Sequence, residues 1–241
     1  MRNSLTSTAQ QFRWSRIHGA LHLGQVLCAT TSQRDAPVRV FFKKQDDLSG
    51  SCGILAVGTA LSILGVVKAS AFENAPRRKH GSVSEIWSTL GDTYFSGIAV
   101  TDLYERLGSL ELPIKLACAL GKPAEVNAAV IHWLSAGGIS IIAYENTRNH
   151  YKHYVLGIGL GGVQHGKVQT VDSILTIDSG APEPMLSAYN GVMQRGAALP
   201  YQCDAKHRLK AHQWQYQTAH CDGVETVQLI GAIHIRIQQK A

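Results

Sequence analysis

Hydrophobic positions along this chain change rhythm near residue 139. Before it they fall in blocks of helical length, and after it in short, alternating runs. The longest block, Ile54 to Val67, is interrupted only by small and hydroxyl residues. It predicts a buried helix from Cys52 to about Ser70, in which Ala56, Gly58 and Ala60 let a neighbouring backbone come close. Val38 to Phe42 predicts a short strand leading into the polar loop Gln45-Asp46-Asp47-Leu48-Ser49-Gly50-Ser51. After Pro76 and the basic cluster Arg77-Arg78-Lys79-His80, Ser82-Val-Ser-Glu85 has the form of a capping box and predicts a helix to about Leu90. Thr101-Asp102 caps a second helix through about Leu107, and Pro123 to Ser135 reads as a third. Leu112 to Leu120 reads as a strand.

The second half is mostly β. Ile139 to Tyr144 and Tyr151 to Leu160 are strands. Turns at Gly161-Gly162 and Gln164-His165-Gly166 send the chain back along Lys167 to Val171. Ile174 to Ile177 reads as a further strand, and Val224 to Ile237 as a long closing one. Pro182-Glu-Pro184 opens a predicted helix to about Arg195. Because strand faces alternate, His153, Gly157 and Gly159 share one face, and the glycines there leave room for the Cys52 helix. The expected fold class is α+β, with the Cys52 helix packed against an antiparallel sheet. Residues 1–37 form an N-terminal arm, and 38–241 one domain with an extension after about 200.

Composition narrows the function classes. A chain of 241 residues with 45% hydrophobic content suits one large domain. No apolar run reaches bilayer length, so no membrane partner is expected. The net charge of +6 is scattered, with one short cluster and no basic stripe interleaved with aromatics, which speaks against nucleic acid. Five cysteines at irregular spacing make no disulfide framework and imply a reducing compartment. The first 34 residues contain no acid, but Leu21 to Ala29 is too polar for a secretory core. The expected location is the cytoplasm, or outside the cell as an effector exported without a Sec-type signal peptide. Near the C-terminus Cys203, His207, His212, His220 and Cys221 supply soft ligands, but their spacing fits no standard zinc pattern. A polar loop is the reading, and no metal or cofactor is expected.

The candidate chemistry centres on Cys52. A glycine-bearing loop delivers it to a helix start, where unpaired N–H groups and the helix dipole favour thiolate. Cys28 and Cys118 have no such context. Gln45, seven residues upstream, offers an amide to an oxyanion beside Cys52. His153 begins an apolar strand and is preferred as base over His150, which sits in the preceding loop. Asp178 and Asp172 each follow an apolar run and precede a serine; Asp178 is preferred as the orienting acid, with Asp172 the rival.

Gln-x6-Cys-Gly at a loop-to-helix junction, His-Tyr-Val-Leu-Gly-Ile-Gly and Ile-Asp-Ser-Gly, in that order, resemble the papain-like cysteine peptidases. Within them the pattern is most similar to the double-glycine, bacteriocin-processing peptidases and their stand-alone relatives. The resemblance covers roughly residues 40–180 and implies a papain-like fold. It also implies a peptidase acting on a protein or peptide, with Cys52, His153, Asp178 and Gln45 in the catalytic roles. The same groups serve a deamidase, a transglutaminase-like enzyme or an acyltransferase, and a catalytically silent binding module is the reading from another class.

Overall fold

The computed structural model describes residues 11–31, 34–46, 49–195, 209–219 and 223–238. The elements in chain order are β1 (Gln11–Ile17), β2 (Leu21–His22), β3 (Cys28–Thr31), β4 (Arg34–Arg39), α1 (Cys52–Ile63), α2 (Ala69–Glu73), α3 (Ser82–Leu90), α4 (Thr93–Ser96), α5 (Val100–Gly108), β5 (Ile114–Leu120), α6 (Pro123–Ser135), β6 (Ile139–Asn146), β7 (Lys152–His165), β8 (Val168–Ile177), β9 (Gly191–Gln194), β10 (Gln213–Thr218) and β11 (Glu225–Ile237).

Six antiparallel strands close on themselves in the order β7-β6-β11-β10-β9-β8, and β8 pairs back with β7. β1 extends the sheet along the far half of β7, and β5 does so along the far half of β11. This closed barrel overturns the expected papain-like α+β arrangement of a helix against a sheet. The strands dominate, and α1 lies outside the barrel. No helix among the described residues is long and apolar enough to cross a membrane.

Two bulges explain how the strands serve two cores. On β7, His153 and Val155 point to the barrel interior, and Tyr154, Leu156 and Ile158 point outward to α1. The register slips at Gly157/Gly159, so that Leu160, of the opposite parity, turns inward. β11 does the same: Val227 and Leu229 face inward, the register shifts at Leu229/Gly231, and Ala232 then takes the inner side. Trp214 and Tyr216 from β10 complete the interior. From α6, Val126, Val130 and Leu134 pack on the same cluster, while Asn127 joins the Trp214 indole to the His212 carbonyl.

All twelve residues of α1 are buried, which suits a helix apolar all round and without a charge. Burying a side chain such as Leu61 contributes roughly 2 kcal/mol. Leu21, Leu27 and Ala29, on or beside the small β2-β3-β4 sheet, join this second core.

Several local expectations shift. The helix begun at Cys52 breaks at Gly65 (φ +74°) and resumes as α2. The strand before the Gln45 loop ends at Arg39. Ser82 begins α3 with Gly81 as its cap, and no side-chain cap bond forms, so the capping box is absent. Residues 182–195 are not helical; they are turns followed by β9. Gly161-Gly162 are strand positions, and the turn is at Gly166. Gly159 makes room for β1 and not for α1: a Cβ there would sit 2.8 Å from Ile17 Cα.

Candidate active site

Cys52 is the first residue of α1, with Ser51 as N-cap and Leu55 N–H donating to the Ser51 carbonyl at 2.9 Å. Gly50 locks the loop in place. Its N–H donates to the Phe95 carbonyl at 3.1 Å, and a Cβ on it would sit 2.8 Å from Gly97 Cα and 2.9 Å from that carbonyl. The close approach of two backbones therefore requires glycine. Ser49 and Ser51 share a hydroxyl hydrogen bond of 2.7 Å beneath.

Cys52 is 8% exposed, and its thiol meets the His153 ring. Burial pushes its pKa up. The hydrogen bond and charge of His153, with the Tyr154 and Gly53 N–H groups on the sulfur, outweigh burial and leave it below the ordinary thiol value.

His153 stands at the start of β7, beside Tyr144 of β6 in the sheet register. Its Nε2 lies 2.7 Å from Asp178 Oδ1, with both side chains almost fully buried. Burial alone would lower the imidazole pKa, but the Asp178 carboxylate and the bond to it, with Cys52, push it up to about 10. Asp178 is opposed by burial too. His153, the Tyr216 hydroxyl and the Gly180 N–H hold it below its usual range.

Asp178 follows β8 immediately, and the pairing Leu156↔Ile177 brings it level with the start of β7. Both of its oxygens accept hydrogen bonds. Oδ1 accepts from His153 and from Gly180 N–H (2.7 Å), and Oδ2 accepts from Tyr216 Oη at 2.6 Å. Asn190 pins the turn: its Oδ1 accepts from Asp178 N–H at 2.7 Å, and its Nδ2 donates to the carbonyls of Asp178 and Pro182, both at 2.8 Å.

Asp172 is at the other end. It lies at the level of Gly161 and Gly162, eight or nine positions along β7 from His153, or roughly 26–30 Å at strand rise. Its carboxylate bonds Arg13 and Ser173. The expected return strand thus runs straight through Asp172 to Ile177, and Asp178 is the acid on His153.

Gln45 ties the turn that carries Asp178 to the loop that carries Cys52. Its N–H donates to the Ser179 carbonyl at 2.7 Å, its Oε1 accepts from Ser179 Oγ at 3.5 Å, and its Nε2 donates to the Ser49 carbonyl. An amide nitrogen carries two hydrogens, so one donor remains. His150 is exposed in the hairpin and pairs with Glu145.

Beside the His153–Asp178 pair opens a cavity of about 360 Å³, lined by Tyr144, Tyr151, Tyr216, Lys44 and Glu225 among others. Tyr216 and Asn190 escape a reading of the sequence, because neither sits in a motif. Of the C-terminal cysteines and histidines, Cys203, His207, His220 and Cys221 lie outside the described residues. His212 is half-buried before β10. Among the described residues no group of three or more His, Cys, Asp or Glu side chains is arranged to hold a metal ion.

No protein-family model matches the chain, and no curated protein matches it.

Proposed function

We propose that this chain is a cysteine peptidase acting on a protein or peptide. The observation that carries the reading is the relay Tyr216–Asp178–His153 beside a buried Cys52 at a helix start. Such a constellation is recognised by geometry and roles, and it recurs on unrelated folds, so a barrel scaffold does not weaken the reading.

The chemistry follows from the atoms. The Cys52 thiolate attacks the carbonyl carbon while the proton rests on His153 Nδ1, Nε2 being held by Asp178. The Cys52 N–H, first in its helix, has no intrahelical acceptor and, with the second Gln45 amide hydrogen, is a donor for the oxyanion. His153 passes its proton to the leaving amine, which breaks the C–N bond and leaves a thioester on Cys52. Water, deprotonated by His153, then releases the acid and restores the thiol.

Mass spectrometry of candidate proteins after incubation tests this. New termini should appear with the wild-type chain and not with Cys52→Ala. A gain of about one dalton without cleavage, or a covalent adduct, would overturn hydrolysis of the peptide bond in favour of deamidation or transfer.

A further inference from the structure

The β6–β7 hairpin sets a second hydroxyl on the histidine. Asn146 N–H donates to the Tyr151 carbonyl at 2.8 Å, Tyr151 N–H donates to Asn149 Oδ1 at 3.1 Å, and His150 takes a left-handed φ of +58° between them. Tyr151 is thereby fixed two positions before His153 and on the same side of the chain. Its ring lies 21° from parallel to the imidazole, and its Oη is 3.3 Å from Nδ1.

That contact creates a conflict. Nε2 donates to the ionised Asp178, which can only accept, so Nδ1 is the one ring nitrogen left for another partner. The ring holds its proton up to about 10, so Nδ1 carries a hydrogen at neutral pH, and the Cys52 sulfur and the Tyr151 hydroxyl are both placed to accept it. Tyr151 is also half-exposed and lines the cavity together with His153, so a group bound there contacts the phenol as well as the ring.

We infer that Tyr151 is a positioning residue that holds the site at rest: its hydroxyl competes with Cys52 for Nδ1 of His153 until substrate in the cavity displaces it. The inference rests on Cys52 and His153 being nucleophile and base. The groups that face this pair are Cys52 from α1, Asp178 after β8, Glu225 from β11, Tyr144 from β6, Tyr216 from β10 and Lys44 from the loop before α1. Burial first, then the negative charges of Cys52, Asp178 and Glu225, push the Tyr151 phenol up to about 12. It therefore keeps its proton at neutral pH and meets the protonated ring through its oxygen, accepting the Nδ1–H. A hydrogen given to the phenol is withheld from the Cys52 sulfur, which weakens the support of the thiolate.

The test is the pH profile of Cys52 alkylation by iodoacetamide, read at Cys52 by mass spectrometry, in the full chain and in Tyr151→Phe and His153→Ala. Phenylalanine keeps the stacked ring and removes only the hydroxyl, so a purely structural role leaves the profile unmoved. Tyr151→Phe should lower the midpoint by about half a pH unit, or about threefold in rate below the midpoint, as expected for one long hydrogen bond. His153→Ala should raise it. An unchanged or raised midpoint in Tyr151→Phe, with His153→Ala raising it, overturns this inference alone. An unchanged midpoint in His153→Ala overturns the Cys52–His153 reading and this inference with it.

Discussion

Replacing Asp178 by asparagine separates two jobs that a triad acid performs, fixing the tautomer and supplying charge. Oδ1 of Asp178 faces two donors, His153 Nε2 and the Gly180 N–H, each at 2.7 Å. The Gly180 N–H is backbone and cannot turn away. The carboxamide must place its oxygen there and its NH₂ towards Tyr216, whose hydroxyl can rotate to accept. His153 then keeps its proton on Nε2 and Nδ1 stays free to act as base, so only the charge is lost. A buried neighbouring charge moves a pKa by about 1–3 units. Turnover should therefore fall about 10- to 1000-fold, short of the roughly 10⁴-fold that follows when asparagine imposes the wrong tautomer. The midpoint for Cys52 alkylation should rise by about a unit, because the imidazolium that supports the thiolate is weakened. Stability should change with a definite sign. The folded ring holds its proton to about 10 against 6.5 for the free group, so its contribution is complete below 6.5 and is lost as pH rises towards 10. Asp178, whose folded pKa is depressed, contributes above its ordinary value of 3.8 and loses that contribution as pH falls through its lower folded value. The gap in melting temperature between wild type and Asp178→Asn should be widest near pH 5–6 and close in alkali. A 10⁴-fold loss would refute the Gly180 argument, and an unmoved alkylation midpoint would refute the charge argument.

Two further substitutions probe the groups around Cys52, His153 and Asp178. Tyr216→Phe strips the 2.6 Å donor from Asp178 Oδ2 and leaves a buried carboxylate oxygen unserved, which should cost about 1–3 kcal/mol in a urea titration with unchanged slope; wild-type stability would mean that another group serves that oxygen. Gly50→Ala drives a Cβ to 2.8 Å from Gly97 Cα, so the loop must move and carry Cys52 with it; circular dichroism should stay native while turnover drops about 100-fold, and an active variant would show that the loop has slack.

The four candidate site residues were visible one at a time because each carries a local signal. Cys52 opens an apolar helix, His153 opens an apolar strand, Asp178 ends one, and Gln45 lies in the polar loop before Cys52. Barrel closure was not visible, because it depends on β7 pairing with β8 and β8 with β9, and pairings of that kind leave no periodicity of their own. Gly161-Gly162 has the composition of a turn, yet β1 pairs across it, Trp14 opposite Gly162 and Ser15 opposite Gly161. Residues 182–195 contain good helix formers, but the Asn190 side chain spends its hydrogen bonds on Asp178 and Pro182. That holds the segment in turns before Gly191 pairs with Thr176. Tyr216 reads in sequence as one more aromatic on a strand. Only its inward parity on β10 brings its hydroxyl to Asp178.

The register of one strand pair decides whether these groups form a site at all. β7 and β8 are antiparallel, so the start of the first and the end of the second meet at one rim of the barrel. With Leu156 opposite Ile177, the first residue beyond β8 arrives level with Val155, the next position after His153 on the inward face, and Gly180 can turn its N–H back onto the carboxylate. Slipping the pair by one residue would move Asp178 about 3.3 Å along the rim and reverse the face of every β8 side chain, sending Ile174 out of the interior. The apolar interior therefore penalises any register that would separate Asp178 from His153. Packing in the barrel and geometry at its mouth are specified by the same residues. The Gly157/Gly159 bulge sharpens that coupling. It lets the first half of β7 serve α1 with Tyr154, Leu156 and Ile158 while the second half returns Leu160 to the interior. The helix that carries Cys52 can then lie outside the barrel, with its N-terminus reaching the residue that faces in.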